Sequence, residues 1–406
     1  MSYASECRRG PGAVLMRLLY AACATAIVLA SCGDGTPTSP AIPVVPATPI
    51  TPATPVTPVN LGFLVSGVRT YSNGGMIAVE EANAGGGLLG RPVELIVEEN
   101  LVDAASAVAV AETMILDDEV AAVIGPNRSV HAIEVGAVAQ RHGVPMITTA
   151  ATNPRVTAAG DLVFMAAFTD QFQGRVMADF AFETLGVTTA AVLTQRGEVY
   201  SEGIGEFFVN HFRRLGGTVV VDESYEEDAT DFATLLTTVA DAAPAVLFMP
   251  GPAAEVVLFT AQARALPLLD AAGEPTVFLG ADAWDNAALL ENEQASVEGS
   301  FFSTHFSPDT DEPTSRAFVE AYRARFGIAP TGGDGVSYDA VRLFLQAATR
   351  VGSLDADAIR RELQATEQYA GATLISHYDE NRHPTKSAVI MTIENGVKKF
   401  YQQVDP

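Results

Sequence analysis

Lysine is nearly missing from this chain: in 406 residues it occurs only as Lys386, Lys398 and Lys399. None of them closes a glycine-rich loop, which excludes a P-loop phosphate site. Cysteine is as scarce, with Cys7, Cys23 and Cys32 all near the start. The body of the chain therefore has no disulfide, zinc ribbon or cysteine nucleophile to offer. The six histidines lack HExxH spacing and read as surface or packing residues rather than metal ligands. No Gly-Xaa-Ser-Xaa-Gly elbow marks a hydrolase. Positive charge is short as well, since 24 Lys and Arg stand against 49 Asp and Glu, a net of −25. That balance argues against nucleic acid and against electrostatic docking on anionic lipid. With so many carboxylates no one pair is singled out for acid–base catalysis. These absences point away from an enzyme, a metal centre and a bound cofactor.

What is present begins with a short apolar run at residues 18–30, preceded by Arg8, Arg9 and Arg17 and closing on Leu29-Ala30-Ser31-Cys32. The run is too short to span a bilayer comfortably. It resembles the signal of a bacterial lipoprotein, and the resemblance implies cleavage before Cys32, lipidation of Cys32 and an extracytoplasmic protein anchored to a membrane through that lipid. An ordinary signal peptide with an incidental cysteine is the plainer alternative, and Met16 is an alternative start. Residues 1–31 carry three Arg and one Glu, so their removal takes the net charge to −27. Residues 32–59 then form a tether: Pro40, Pro43, Pro46, Pro49, Pro52, Pro55 and Pro58 recur at every third position. Such a segment is extended and solvated, at about 3.1 Å per residue.

From Asn60 onward short apolar runs alternate with amphipathic stretches. Strands are expected at 61–66, 93–98, 120–124 and 144–148, with helices at 73–84, after the cap residue Asp103, and at 129–141. On the second of these helices Val108, Ala111 and Ile115 share one face. A second series follows, with strands at 164–168, 190–194, 218–222, 245–249 and 276–280 and helices between them. After a strand at 301–304 come helices at 313–326, 339–351 and 355–364. A hairpin-like stretch at 373–377 and 388–394 ends the chain, with Glu394-Asn395-Gly396 as a turn. The fold class is α/β, with two doubly wound parallel-sheet lobes whose ligand site lies in the cleft between them.

The run Ile77-Ala78-Val79-Glu80-Glu81-Ala82-Asn83-Ala84, its trailing Gly85, Gly86 and Gly87, and Gly90-Arg91-Pro92 resemble the signature of the leucine/isoleucine/valine-binding family of periplasmic solute receptors. Ala122-Val123-Ile124-Gly125-Pro126, Gly143-Val144-Pro145, Tyr200-Ser201-Glu202-Gly203 and Ser337-Tyr338-Asp339-Ala340 extend the likeness along most of residues 60–402. The resemblance implies a type I periplasmic-binding-protein fold with a multi-strand hinge of three crossings. It assigns 60–168 plus about 301–350 to the first lobe and 169–300 plus about 351–406 to the second. It further implies an amino acid or related small carboxylate as ligand and an ABC-type permease in the membrane as partner, with the receptor acting as a monomer. Ser129, Ala150 and Thr152 match positions that hold the ligand carboxylate, Tyr200 a tyrosine that covers it, and Asp282 the residue that pairs with the ammonium. Tyr71 aligns loosely with a cleft aromatic. Gly251 and Gly333 stand where the leucine receptors have aromatic residues.

Each assignment has a plainer reading beside it. Ser129 and Thr152 are also good helix caps, Asp282 a common turn residue, and Tyr200 a residue that packs at a lobe edge. Arg69, Arg128, Arg155 and Arg196 fall at the expected cleft, where they either bind a second anion or balance nearby carboxylates as solvated loop residues. Gly85, Gly87 and Gly90 have the spacing of a dinucleotide fingerprint but end a helix instead of opening one, so they read as a cap and turn. A second function stays open at this point, a regulatory lipoprotein that uses this fold without transport, such as a cell-wall synthase activator or a ligand sensor.

Overall fold

A computed structural model describes residues 56–67, 71–99, 101–263, 265–291 and 296–406. The signal segment, Cys32, most of the tether and Arg69 lie outside the described residues.

The first series runs β1 (Val59–Leu64), α1 (Tyr71–Ala84), β2 (Val93–Glu98), α2 (Ala104–Leu116), β3 (Ala122–Ile124), α3 (Ser129–His142), β4 (Met146–Thr148) and β5 (Val163–Met165). All five strands are parallel, in the order β2-β1-β3-β4-β5. The second series runs α4 (Asp170–Asp179), β6 (Thr189–Gln195), α5 (Val199–Arg214), β7 (Thr218–Tyr225), α6 (Ala233–Ala242), β8 (Val246–Phe248), α7 (Ala253–Ala263), β9 (Val277–Gly280), α8 (Ala288–Glu291) and β10 (Phe301–Thr304). Then follow α9 (Pro313–Phe326), α10 (Gly332–Val351), α11 (Ala356–Gln364), β11 (Glu367–Ala370), β12 (Leu374–Tyr378), β13 (Pro384–Thr385), β14 (Ala388–Glu394) and β15 (Val397–Val404). The second sheet has the order β15-β14-β10-β9-β8-β6-β7, in which β14 alone runs against the others, antiparallel to both of its neighbours β10 and β15.

The central strands of both sheets are buried on both faces, which is why they read as unbroken apolar runs. On the first, Phe63, Ile124 and Phe164 pack with Phe318 and Phe344 of α9 and α10. Its other face sets Leu64, Val123 and Met146 against Ala111 and Val135 of α2 and α3. On the second, Val192 and Phe248 meet Phe208 and Phe212 of α5, while Leu193 and Leu247 meet Leu236, Phe259 and Trp284. Among the described residues no helix is long and apolar enough to cross a membrane.

The sheets divide the chain differently from the expected boundaries. Strand β10 pairs with β9 and β14 and so stands in the second sheet, whereas α9, α10, α11 and β12 pack into the first core. The chain returns to the second sheet only at β14. The segments expected to form one hairpin, 373–377 and 388–394, do not pair. Residues 388–393 are buried on both faces and need a neighbour on each side, which β10 and β15 supply. Strand β12 instead buries Ile375 and Tyr378 and pairs with β11 and β13. Helix α10 starts at Gly332, seven residues before the expected 339, because Thr331 and Asp334 form a capping box there. At α2 the expected cap is present: Asp103 Oδ1 accepts from Ser106 N at 2.7 Å.

Three segments, 166–169, 305–312 and 386–387, carry the chain between the sheets. Lys386 ties two regions together from within, its Nζ donating to Ala166 O (3.0 Å) and Thr373 Oγ1 (2.7 Å) while only 3% exposed. Burial pushes its pKa down to about 8, against the pull of Asp339. Asp339 accepts from Tyr369 Oη (2.8 Å), Ala372 N (2.8 Å), Thr373 N (2.9 Å) and Thr373 Oγ1 (2.6 Å). Removing that carboxylate strands a buried cation and four donors together. Asp339→Ala is expected to cost about 3–5 kcal/mol of stability in denaturant unfolding; a loss under about 1 kcal/mol would show that this hub does not hold the crossings.

Candidate ligand-binding cleft

In a parallel sheet, side chains free to meet a ligand gather beyond the strand carboxyl ends, at the point where strand order reverses. The first sheet reverses between β1 and β3, the second between β6 and β8. A cavity of about 320 Å³ lies at these points, lined from one side by Ser66, Asn127, Arg128, Ser129 and Ala150 and from the other by Gln195, Glu198, Tyr200, Glu255 and Asp282, among others.

On the first wall, Asn127 joins the two strand ends: its Oδ1 accepts from Ser66 N (2.7 Å) and its Nδ2 donates to Ser66 O (3.1 Å). Ser129 opens α3 and is buried, and its Oγ accepts from Asn153 N at 3.2 Å, which leaves the hydroxyl proton free to be donated. His131, within hydrogen-bond distance of Ser66 Oγ (2.7 Å), is held down to about pH 4 by burial and then by Arg128, so it is neutral behind the wall. Tyr71 lines the cavity from the start of α1. Burial, with the carboxylates of Asp282, Asp285 and Asp334, raises its pKa well above the usual range and keeps it a neutral donor.

On the second wall, α5 begins at Val199 because Glu198 caps it, Oε2 accepting from Ser201 N at 2.8 Å. This sets Tyr200 in the first turn, where its hydroxyl donates to Asp282 Oδ1 at 2.8 Å. Asp282 Oδ2 lies 3.3 Å from Nε2 of His305, a buried ring whose centre is 4.1 Å from that of Phe168 at a tilt of 41°. Burial lowers the His305 pKa against the pull of Asp282, so the carboxylate faces a neutral imidazole. Contacts join the walls at the rim: Arg128 to Glu198 (3.8 Å), Asn153 Nδ2 to Val199 O (3.1 Å) and Gly332 N to Asp285 Oδ2 (2.7 Å).

The cavity thus brings together Tyr71, Arg128, Ser129, Ala150, Tyr200 and Asp282. Thr152 is not in its lining. It is fully buried behind the first wall, where its carbonyl accepts from Asp170 N at 2.8 Å. Arg155 is exposed, and Arg196 pairs with Glu226 at 3.2 Å, as solvated loop arginines do. Sequence reasoning passed over Asn127, Gln195, Glu198, Glu255 and His305. Their signal was positional, since all but His305 stand at or just past the ends of strands next to a reversal point.

The two glycines that stand where the leucine receptors have aromatic residues each lie against a tyrosine of this chain. A Cβ on Gly333 would lie 2.1 Å from the Tyr71 ring, and one on Gly251 would lie 1.7 Å from Tyr225 Oη. Tyr71 and Tyr225 fill those volumes from other elements.

The periplasmic binding protein family model matches residues 65–398. Among solved structures, the leucine-binding protein LivK of Thermotoga maritima is 32% identical with a TM-score of 0.80, over 86% of this chain and 99% of that one. LivJ of Streptococcus pneumoniae, solved in complex with isoleucine, is 26% identical with a TM-score of 0.79, over 86% of this chain and all of that one. The leucine-, isoleucine-, valine-, threonine-, and alanine-binding protein of Pseudomonas aeruginosa is 27% identical across 294 residues, 72% of this chain and 76% of that one.

Proposed function

Since the chain belongs to the periplasmic binding protein family and has its type I fold, we propose that it is a lipid-anchored extracytoplasmic receptor that closes on an amino acid and delivers it to an ABC-type permease. It is a binding protein, not an enzyme. The observation that carries the ligand class is the opposition of groups across the cavity: Ser129 at a helix start on one wall and the Tyr200–Asp282 pair on the other. A carboxylate is favoured at the start of α3, where main-chain N–H groups and the helix dipole point outward. An ammonium is favoured at Asp282, whose buried carboxylate is oriented by Tyr200 and faces an uncharged His305. Ala150 lines the carboxylate side, and Thr152 acts from behind it by fixing the start of α4 through Asp170. Ligand that touches both walls favours the closed state by its differential affinity, and the rim pairs Arg128–Glu198 and Gly332–Asp285 belong to that state. The anchor rests on the segment ending at Cys32, and the proline-rich tether gives the body room to reach a permease.

A charge-assisted hydrogen bond in such a cleft is worth about 1.5–3 kcal/mol. Calorimetry with the tightest binder from a panel of free amino acids should therefore show Asp282→Ala weakened at least about tenfold, and Asp282→Asn nearly as much. Unchanged affinity in both variants would remove Asp282 from the ammonium site. For the anchor, Cys32→Ser should move the protein from the membrane to the soluble fraction of cells; wild-type protein already soluble after osmotic shock would contradict lipidation.

A further inference from the structure

The second wall carries more negative charge than a zwitterion consumes. Among the described residues, Glu198, Glu227, Glu255 and Asp282 line the cavity against one cation, Arg128, which stands on the first wall beside Glu198. Glu255, in the first turn of α7, is the informative one. It is 7% exposed, and its Oε2 has no hydrogen-bond partner and no ion pair among the described residues. Gln195, at the end of β6, is 2% exposed and its Oε1 is unpartnered too. On the next strand, directly opposite Gln195, Tyr225 has a buried hydroxyl that is likewise unsatisfied. Burial raises the Tyr225 pKa, and the charges of Glu255 and Glu198 raise it further, so the local potential is negative.

We propose that this cleft takes an α-amino acid whose side chain carries a cationic nitrogen group, held at its far end by Glu255 and Gln195. The inference rests on the amino-acid-receptor reading and narrows it. The ligand ammonium at Asp282 and the carboxylate at Ser129 leave Glu255 without a partner. An aliphatic side chain there would keep a buried carboxylate from both water and a counter-charge, the least favourable setting for such a group. An ammonium brings three donors and no acceptor, a guanidinium five, and both match a pair of acceptor oxygens. Tyr71, Pro252, Ala253 and Ala254 give the cavity an apolar lining that suits the alkyl stem of such a side chain, whose charged head then reaches the carboxylate.

The test is calorimetry on the full chain in detergent with L-lysine and L-arginine, each paired with a neutral counterpart of similar shape, L-norleucine and L-citrulline. At least one cationic member should bind about tenfold or more tightly than its counterpart. Glu255→Gln should cut that preference to about twofold or less. Neutral members that bind the wild type as well as or better than the cationic ones would overturn the inference and leave the receptor reading standing. So would a Glu255→Gln variant whose preference is unchanged. If none of the four binds a chain that circular dichroism shows to be folded, the inference is overturned, and the panel of free amino acids then decides the receptor reading separately: binding of another amino acid keeps it, binding of none ends it. The wild-type comparison decides the matter even if Glu255→Gln does not fold.

Discussion

A parallel strand can be followed by another only through a crossover, and that constraint sets everything about this cleft. Because each crossover leaves from the carboxyl end of a strand, the loops that can carry chemistry collect at one end of each sheet. The chain uses the constraint twice and brings the two collecting ends onto one cavity. Ser66 follows β1, Asn127 to Ser129 follow β3, and Ala150 follows β4. From the other side Gln195 ends β6 and Glu198 follows it, Glu255 follows β8 and Asp282 follows β9. The architecture selects the positions; the side chains placed there select the ligand.

What those side chains do is polar and largely acidic. The acidity of the whole chain, with 49 Asp and Glu, is mostly a matter of solvated surface, yet at the cleft it becomes local and buried. Asp282 shares one oxygen with Tyr200 and turns the other to a neutral His305. Asp285, on the same loop, is different: burial would raise its pKa, but Lys398, the Gly332 N–H and Thr304 together hold it below the usual range. One carboxylate is thus spent on holding the rim and the other is left for a ligand.

Much of the fold was legible in the sequence because its strands are apolar on both faces and its helices carry ordinary caps. Asp103 could be read as a cap from its position alone, and the structure gives it that role. Reading failed where a long-range partner decided the outcome. The glycine-rich start of α10 discourages a helix locally, but the Thr331–Asp334 box and the Tyr71 ring over Gly333 favour it. Strand β15, Val397–Val404, went unread because its polar, half-exposed residues show no apolar run; it forms as the edge partner of β14. At the site, a motif could mark Ser129, Tyr200 and Asp282, but it could not say that Thr152 stands behind the wall or that Tyr71 and Tyr225 occupy the space over Gly333 and Gly251. Those facts depend on packing between segments well separated in sequence, beyond the reach of any local pattern.

The central claim is that the facing walls recognise a free amino acid by its two charged ends. Mass spectrometry of the small molecules released on denaturing protein purified natively from its own cells tests this most directly. The account predicts a stoichiometric compound with both a carboxylate and a primary amine; a retained ligand that has no amino group would contradict it.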